Sequence, residues 1–179
     1  MEQTSQSPSN KKGQVTMLDL VFALSIFMIL LAVLYSGWFV KIQSASQELS
    51  EFKASMAAQS VLISLSDSPG FPSNWAAQNI SPNSDSLKGI GIVSSHSQID
   101  PQKLKTLEYF YNLTSTYNNS KIKMGIAPYD SDIRIYYLNG TNISIMGSPP
   151  SSTDNVLSSA QKPAVYNNQT VIIRVRIWE

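Results

Sequence analysis

Side chains that could do acid–base, nucleophilic or metal chemistry are scarce in this chain of 179 residues. It has no cysteine, which excludes disulfides, thiolate metal sites and thiol catalysis. Its single histidine, His96, lies among serines without the nucleophile-elbow pattern of a serine hydrolase. The carboxylates of Asp130 and Asp132 are too few for a calcium site with its about six to eight oxygen ligands, and we interpret them as capping or turn residues. The sequence therefore predicts no catalytic residue, no metal site, no cofactor and no enzyme.

A second group of chemically distinctive residues consists of acceptor sites for N-glycosylation. Six Asn-x-Ser/Thr sequons occur, at Asn79, Asn112, Asn118, Asn139, Asn142 and Asn168. A surface rich in Ser and Asn also produces sequons by chance, and the proline after Ser81 weakens the site at Asn79. All six follow the long apolar segment described next, where an external domain would lie. We therefore predict that this part of the chain is glycosylated.

The elements that must position these residues begin with a long apolar run. No charged residue occurs from Leu20 to Val40, which is 21 residues, or about 31 Å of helix, enough to cross the hydrocarbon core of a membrane. Lys11 and Lys12 precede the run, and positive charge on the short side favours a cytoplasmic N-terminus. The formal net charge of the whole chain is only +1, which argues against a nucleic-acid partner.

The run has two other interpretations, a cleaved secretory signal and an uncleaved membrane anchor. A cleaved secretory signal has an apolar region of about 7–15 residues and ends in small residues, a pattern that Tyr35–Val40 lacks. An uncleaved membrane anchor stays open as an alternative, because its composition is the same.

A helical pattern continues beyond the run. Apolar residues recur at helical spacing among polar ones, at Ile42, Ala45, Leu49, Phe52, Met56 and Ile63. Neither Gly nor Pro interrupts residues 39–68, and Pro69-Gly70 then stops the helix. We predict one helix over about residues 16–67, apolar all round in its first half and amphipathic in its second. The stripe is expected to pack on the globular domain of the same chain.

The junction before this helix resembles the class III signal peptide of archaeal, specifically euryarchaeal, type IV pilin-like proteins. It reads Lys11-Lys12-Gly13-Gln14 after a short polar leader, with the hydroxyl residue Thr16 close behind. The resemblance implies that a membrane-embedded prepilin peptidase cuts between Gly13 and Gln14 and leaves the apolar helix in the mature protein. Further segments similar to this family begin at Ser68, Lys88, Ile99 and Tyr129.

An acidic residue near the start of the mature chain is also part of the resemblance. The family commonly carries an acid at the fifth mature position, where this chain has Leu18, and Asp19 is the sixth. The resemblance implies that this carboxylate meets the N-terminal amine of a neighbouring subunit and sets their axial register. A carboxylate at the edge of an apolar phase needs such a partner. Asp19 could equally be an acid that the helix macrodipole favours near an N-terminus.

The remainder of the chain predicts a small α+β domain. Asp100-Pro101 is a helix start, and Leu104, Leu107 and Tyr111 form one apolar face after it. Asn139-Gly140 is a hairpin turn between strands at residues 132–138 and 141–146. Further strands are predicted at residues 88–94 and 170–178, and residues 147–164 are predicted to be a loop rich in Ser and Pro. We expect a small antiparallel sheet with short helices packed on the long helix, which resembles the pilin fold.

These features predict a leader at residues 1–13, an apolar membrane or filament-core helix at 14–40, its amphipathic continuation at 41–67 and an extracellular α+β domain at 68–179. The resemblance implies a structural subunit, major or minor, of an archaeal type IV pilus-like filament for adhesion. Its partners would be other pilin subunits, prepilin peptidase, an assembly ATPase and a membrane platform protein. The chain would lie in the cytoplasmic membrane before assembly, and on the cell surface afterwards. The alternative is an uncleaved, single-pass extracellular binding module.

Overall fold

A computed structural model describes the backbone of residues 9–95 and 97–179, with side chains from Met17 onward. The chain divides into two compact units, the N-terminal part up to Glu48 and the part Leu49–Glu179. Helix α1 contributes to both units, and every other helix and strand of the described residues belongs to the second. The elements are α1 (Ser9–Asp67), β1 (Val93–Ser95), β2 (Gln98–Ile99), α2 (Pro101–Asn112), α3 (Thr114–Met124), β3 (Asp130–Tyr137), β4 (Asn142–Met146), β5 (Val156–Tyr166) and β6 (Gln169–Trp178).

Helix α1 ends where the sequence predicts and begins earlier. Its last residue is Asp67, and Gly70 follows with a φ of 82°, a conformation that glycine adopts without steric penalty. Its first residue is Ser9, about two turns before the predicted start near residue 16. The intervening lysines and glutamine are good helix formers, and the single Gly13 does not outweigh them.

The chain after α1 folds back against the C-terminal end of that helix. The backbone amide of Ile92 donates to the carbonyl of Leu65 at 3.4 Å, and that of Val93 donates to Ser68 at 3.3 Å. A Cβ atom on Gly91 would lie 2.1 Å from the carbonyl oxygen of Ser68, so only glycine fits there. These contacts satisfy carbonyl groups that the helix end leaves without an internal partner.

Helix α2 confirms its predicted start. The Oδ1 atom of Asp100 accepts from the backbone amides of Gln102 at 2.8 Å and Lys103 at 3.3 Å, and Pro101 is the first helical residue. The predicted apolar face is also confirmed, because Leu104, Leu107 and Tyr111 are buried. Helix α3 was not predicted, since the sequence Thr114–Met124 is polar and lacks an apolar stripe.

The strands form one sheet of six in the order β1-β2-β5-β6-β3-β4. The hairpin β3–β4 turns at Asn139-Gly140 as predicted, with Gly140 at a φ of 87°. Alternate residues of β3 and β6 join the core, which they share with the C-terminal part of α1 and with α2. The domain is therefore α+β, in agreement with the sequence.

Three details of the sheet differ from expectation. The sheet is mixed, because β2 runs parallel to β5, with Gln98 opposite Val165. The second half of the predicted loop at residues 147–164 belongs to β5, which pairs along its length with β6 and needs no strong apolar pattern of its own. The predicted strand at 88–94 shortens to Val93–Ser95.

Candidate functional site: the long helix and the sequons

The leader junction lies in the first turns of α1. The residues that the resemblance assigns to processing are Lys11, Lys12, Gly13 and Gln14, and the helix includes them. Their side chains lie outside the described part of the chain, as does His96. The cleavage site therefore stays a prediction from the sequence.

The apolar run is exposed throughout the described part of α1. From Met17 onward the helix contains an 18-residue window with a mean hydropathy of 2.7, none of it buried within the protein. Among the described residues this is the one helix long and apolar enough to cross a membrane. Such a surface is unfavourable in water and stable in lipid or against other apolar helices.

Asp19 lies near the start of this apolar surface and is exposed. Within the described part of the chain no cationic side chain forms an ion pair with it. A carboxylate beside an apolar phase is costly without a partner, so the position leaves room for a cation from elsewhere. The interpretation as a simple N-terminal acid is weakened, because α1 begins about ten residues earlier and the macrodipole acts within the first turn.

The part of α1 in the second unit buries the face opposite to the predicted one. The predicted stripe is exposed along its whole length, so the prediction that it packs on its own domain is wrong. The buried face consists of Ala54, Ala58, Val61, Leu62 and Leu65. The two alanines let the helix approach its neighbours closely, which favours the packing of this face on the domain.

The exposed face of this helix segment carries large apolar side chains. The exposed fractions are 52% for Leu49, 62% for Phe52, 58% for Met56 and 55% for Ile63. At about 100° per residue these four lie within roughly 60° of one another, on the side of the helix away from Ala58 and Leu65. We call this set the outer stripe. The described residues of the domain leave these four apolar side chains uncovered.

The carboxylates of β3 form separate ion pairs and do not converge on a common site. Asp130 accepts from Lys121 Nζ at 2.7 Å and from the Tyr117 hydroxyl at 3.1 Å, and the hydrogen bond from Lys121 holds the pKa of Asp130 below its usual range. Asp132 is buried and accepts from Arg134 and Arg176. The interpretation of both as capping or turn residues is wrong. In the described part of the chain no group of three or more acidic, His or Cys side chains could hold a metal ion.

Three sequons, at Asn112, Asn139 and Asn168, expose both the Asn and the hydroxyl residue, and the last two lie at turns of the sheet. Asn139 and Thr141 are exposed at the β3–β4 turn, and Asn168 and Thr170 are exposed at the β5–β6 turn. Both turns lie at the same end of the sheet, because Tyr137 at the end of β3 pairs with Val171 near the start of β6. Glycans at these positions would therefore decorate one end of the domain.

Asn112 and the three remaining sequons are constrained by their surroundings. The hydroxyl residues after Asn118 and Asn142 are the buried Ser120 and Ser144. The Asn112 side chain accepts from Gly147 at 2.9 Å and donates to the carbonyl of Ile145 at 3.3 Å. Asn79 precedes the Ser81-Pro82 pair. A glycan-transferring enzyme that acts on the folded domain would find these sites less available.

Sequence reasoning did not identify the face of α1 that binds the domain or the partners of the two β3 carboxylates. Ala54 and Ala58, spaced four residues apart, were the available signal for the first. No protein-family model matches this sequence, and no curated protein and no solved structure is significantly similar to it.

Proposed function

We propose that this chain is a structural subunit of an archaeal type IV pilus-like surface filament. Processing between Gly13 and Gln14 would free a new amine at the start of α1. The apolar helix would then leave the membrane and pack against the helices of other copies, while the α+β domain coats the filament. An assembly ATPase and a membrane platform protein would drive this step.

The observation that carries the proposal is the outer stripe. A simple membrane anchor needs an apolar helix only over the thickness of the bilayer, about 20 residues. Here large apolar side chains stay exposed at Leu49, Phe52 and Met56, beyond the apolar run and on the face that does not pack on the domain. Ile63 extends the same surface almost to the end of the helix. Packing against helices of neighbouring subunits would remove this surface from water.

The carboxylate of Asp19 fits the same account. In a bundle of such helices it could pair with the amine of Gln14 on a neighbouring copy, which would set the axial register between subunits. In the correct axial register this ion pair would lie in apolar surroundings. A copy in any other register would leave both charges unpaired there, which is unfavourable.

The test compares the assembly of outer-stripe variants in the native cell. The double variant Phe52→Gln and Met56→Gln removes two exposed apolar side chains, so we expect a folded domain that stays in the membrane fraction. Lys53→Gln, at an exposed position of the same helix turn, should assemble like the wild type. The amount of chain in filaments sheared from the cells is measured against the amount in the membrane.

Wild-type chain absent from sheared filaments would overturn the proposal, and so would normal assembly of the double variant. The first result would favour the alternative of an uncleaved, single-pass binding module, whose exposed helix serves only as an anchor.

A further inference from the structure

The face of the sheet that carries Arg134, Arg174 and Arg176 has an unusual arrangement of charge. Arg134 on β3 lies directly opposite Arg174 on β6 in the antiparallel register. Like charges in directly opposed positions destabilise a sheet. The neighbour of Arg174 on the other side is the uncharged Gln161 of β5, so no carboxylate offsets the pair across either strand.

The carboxylate that pairs with the arginines of this face, Asp132, is already saturated. Asp132 Oδ1 accepts from Arg176 Nε at 2.6 Å, and its Oδ2 accepts from Arg176 Nη2 at 2.6 Å and from Arg134 Nε at 2.7 Å. Both oxygens are therefore engaged by Arg176 and by one edge of Arg134. Two guanidinium groups share this carboxylate and Arg174 has none, which leaves an excess of positive charge at Arg174 and at the remaining edge of Arg134.

Arg174 has no hydrogen-bonding partner in the described part of the chain. Its Nε atom is buried and unpaired, and its guanidinium group lies 5.4 Å from the centre of the Tyr136 ring. A buried donor without an acceptor costs free energy. Opposed like charges and unpaired buried donors are features that proteins tolerate mainly at functional or strained sites.

A shallow pocket of about 300 Å³ lies beside this pair and is lined by Arg134, Tyr136, Gly140, Asn142 and Arg174. This volume is at the lower end of the range for small-molecule sites. Gly140 leaves open space, since a Cβ atom there would meet nothing within 4 Å. The exposed Asn142 amide makes no hydrogen bond to another described side chain, so it is free to bind a ligand hydroxyl group.

We propose that this pocket binds an acidic sugar, the carboxylate- or sulfate-bearing unit of a glycan. Arg134 and Arg174 would donate to the oxyanion, for which the planar guanidinium fork is well suited. Tyr136 would supply an apolar surface for the sugar ring, and Asn142 would bind its hydroxyl groups. The inference does not depend on filament assembly, because each residue that carries it belongs to the second unit.

The position of Asn142 in the pocket also explains why we expect this residue to carry no glycan. Its sequon partner Ser144 is buried, and a glycan on Asn142 would fill the pocket. The acidic sugar would therefore come from another molecule, either a surface polysaccharide or a glycan on a neighbouring copy.

The test measures binding of a short oligogalacturonate to the full chain in a non-ionic detergent, with a neutral glucose oligomer of equal length as the comparison ligand. Arg174→Gln should weaken oligogalacturonate binding about tenfold or more, because it removes a charge-assisted contact. Lys105→Gln removes the same charge from an exposed position on α2 and should leave binding unchanged. A sulfated oligosaccharide that binds more tightly than the galacturonate identifies sulfate as the preferred oxyanion and supports the site equally.

A second measurement separates a binding role from a structural one. Arg174→Gln relieves the opposed arginine pair, so its melting temperature should equal or exceed that of the wild type. Loss of stability without loss of binding would show that Arg174 supports the sheet and would overturn the proposal. Equal binding of the neutral oligomer would also overturn it, as would tighter binding of an oligonucleotide of the same charge. Enzymatic removal of glycans from the protein identifies the source of the acidic sugar. If the protein still binds to cells, the sugar belongs to a surface polysaccharide. If self-association of the protein is lost, the sugar belongs to a neighbouring copy.

Discussion

Two residues of similar size in the same part of α1 lie on opposite faces of the helix, so we expect their replacement to change the stability of the domain by different amounts. Leu65 is fully buried, whereas Ile63 is 55% exposed and belongs to the outer stripe. The two positions are separated by two residues, or about 200° around the helix axis. Replacing each by alanine removes a similar apolar volume from opposite environments.

The burial of each side chain determines how much its replacement should change the free energy of unfolding. Leu65→Ala leaves a cavity in a closely packed core and should lower the free energy of unfolding by about 2–5 kcal/mol. Ile63→Ala shortens a side chain that is more than half exposed, so the change should stay within about 0.5 kcal/mol. Chemical unfolding of the full chain in detergent, followed by near-UV circular dichroism, measures both. The buried Trp75, whose Nε1 donates to the carbonyl of Gly91 at 3.1 Å, reports on the domain.

An equal loss of stability in the two variants would refute the assignment of the faces. A larger loss for Ile63→Ala would restore the expectation that the apolar stripe recognised in the sequence packs on its own domain. The account of the outer stripe as an assembly surface would then have no basis.

Four further predictions follow from the second unit. Gly91→Ala should destabilise the domain by about 3 kcal/mol or more in thermal unfolding, since its Cβ would lie 2.1 Å from the Ser68 carbonyl oxygen. Gly89→Ala is the neutral control, because a Cβ at that position meets nothing within 4 Å. Asp132→Asn should cost about 3–5 kcal/mol in chemical unfolding because it leaves two arginines without their buried carboxylate, and Asp85→Asn at an exposed position should cost little. The hydrogen bond from Lys121 lowers the pKa of Asp130, so this ion pair contributes stability above the usual Asp pKa of about 4 and loses it as the pH falls through the lowered pKa. Asp130→Asn should therefore flatten the stability profile below about pH 4, by a small amount because the carboxyl is 54% exposed. Mass spectrometry of the native protein should find glycans on Asn139 and Asn168 and none on Asn118 and Asn142, and a reversed pattern would show that modification precedes folding of the domain.

Local signals in the sequence predicted local structure well. Asp100-Pro101 predicted the start of α2, Asn139-Gly140 predicted a hairpin turn, and Pro69-Gly70 predicted the end of α1. Each of these depends on backbone preferences and hydrogen bonds within a few residues, which is why the pattern alone suffices.

Features that depend on tertiary contacts were harder to predict. The helical periodicity at Phe52 and Met56 is real, but periodicity does not say which of two faces meets the domain, and the alanine face packs more closely. The pairing of Arg134 with Arg174 depends on the register between β3 and β6, which are separated by two strands in the sequence. Strand β5 is held mainly by its neighbour β6, so its own residues carry little signal.

The central claim, that the apolar helix begins a processed filament subunit, is tested most directly at the N-terminus. The measurement is peptide mass spectrometry on the protein recovered from its native cell surface. The account predicts a dominant N-terminal peptide that starts at Gln14, as glutamine or pyroglutamate. A dominant peptide that joins Gly13 to Gln14 and retains the preceding leader would contradict it, and the chain would then be an uncleaved membrane-anchored protein.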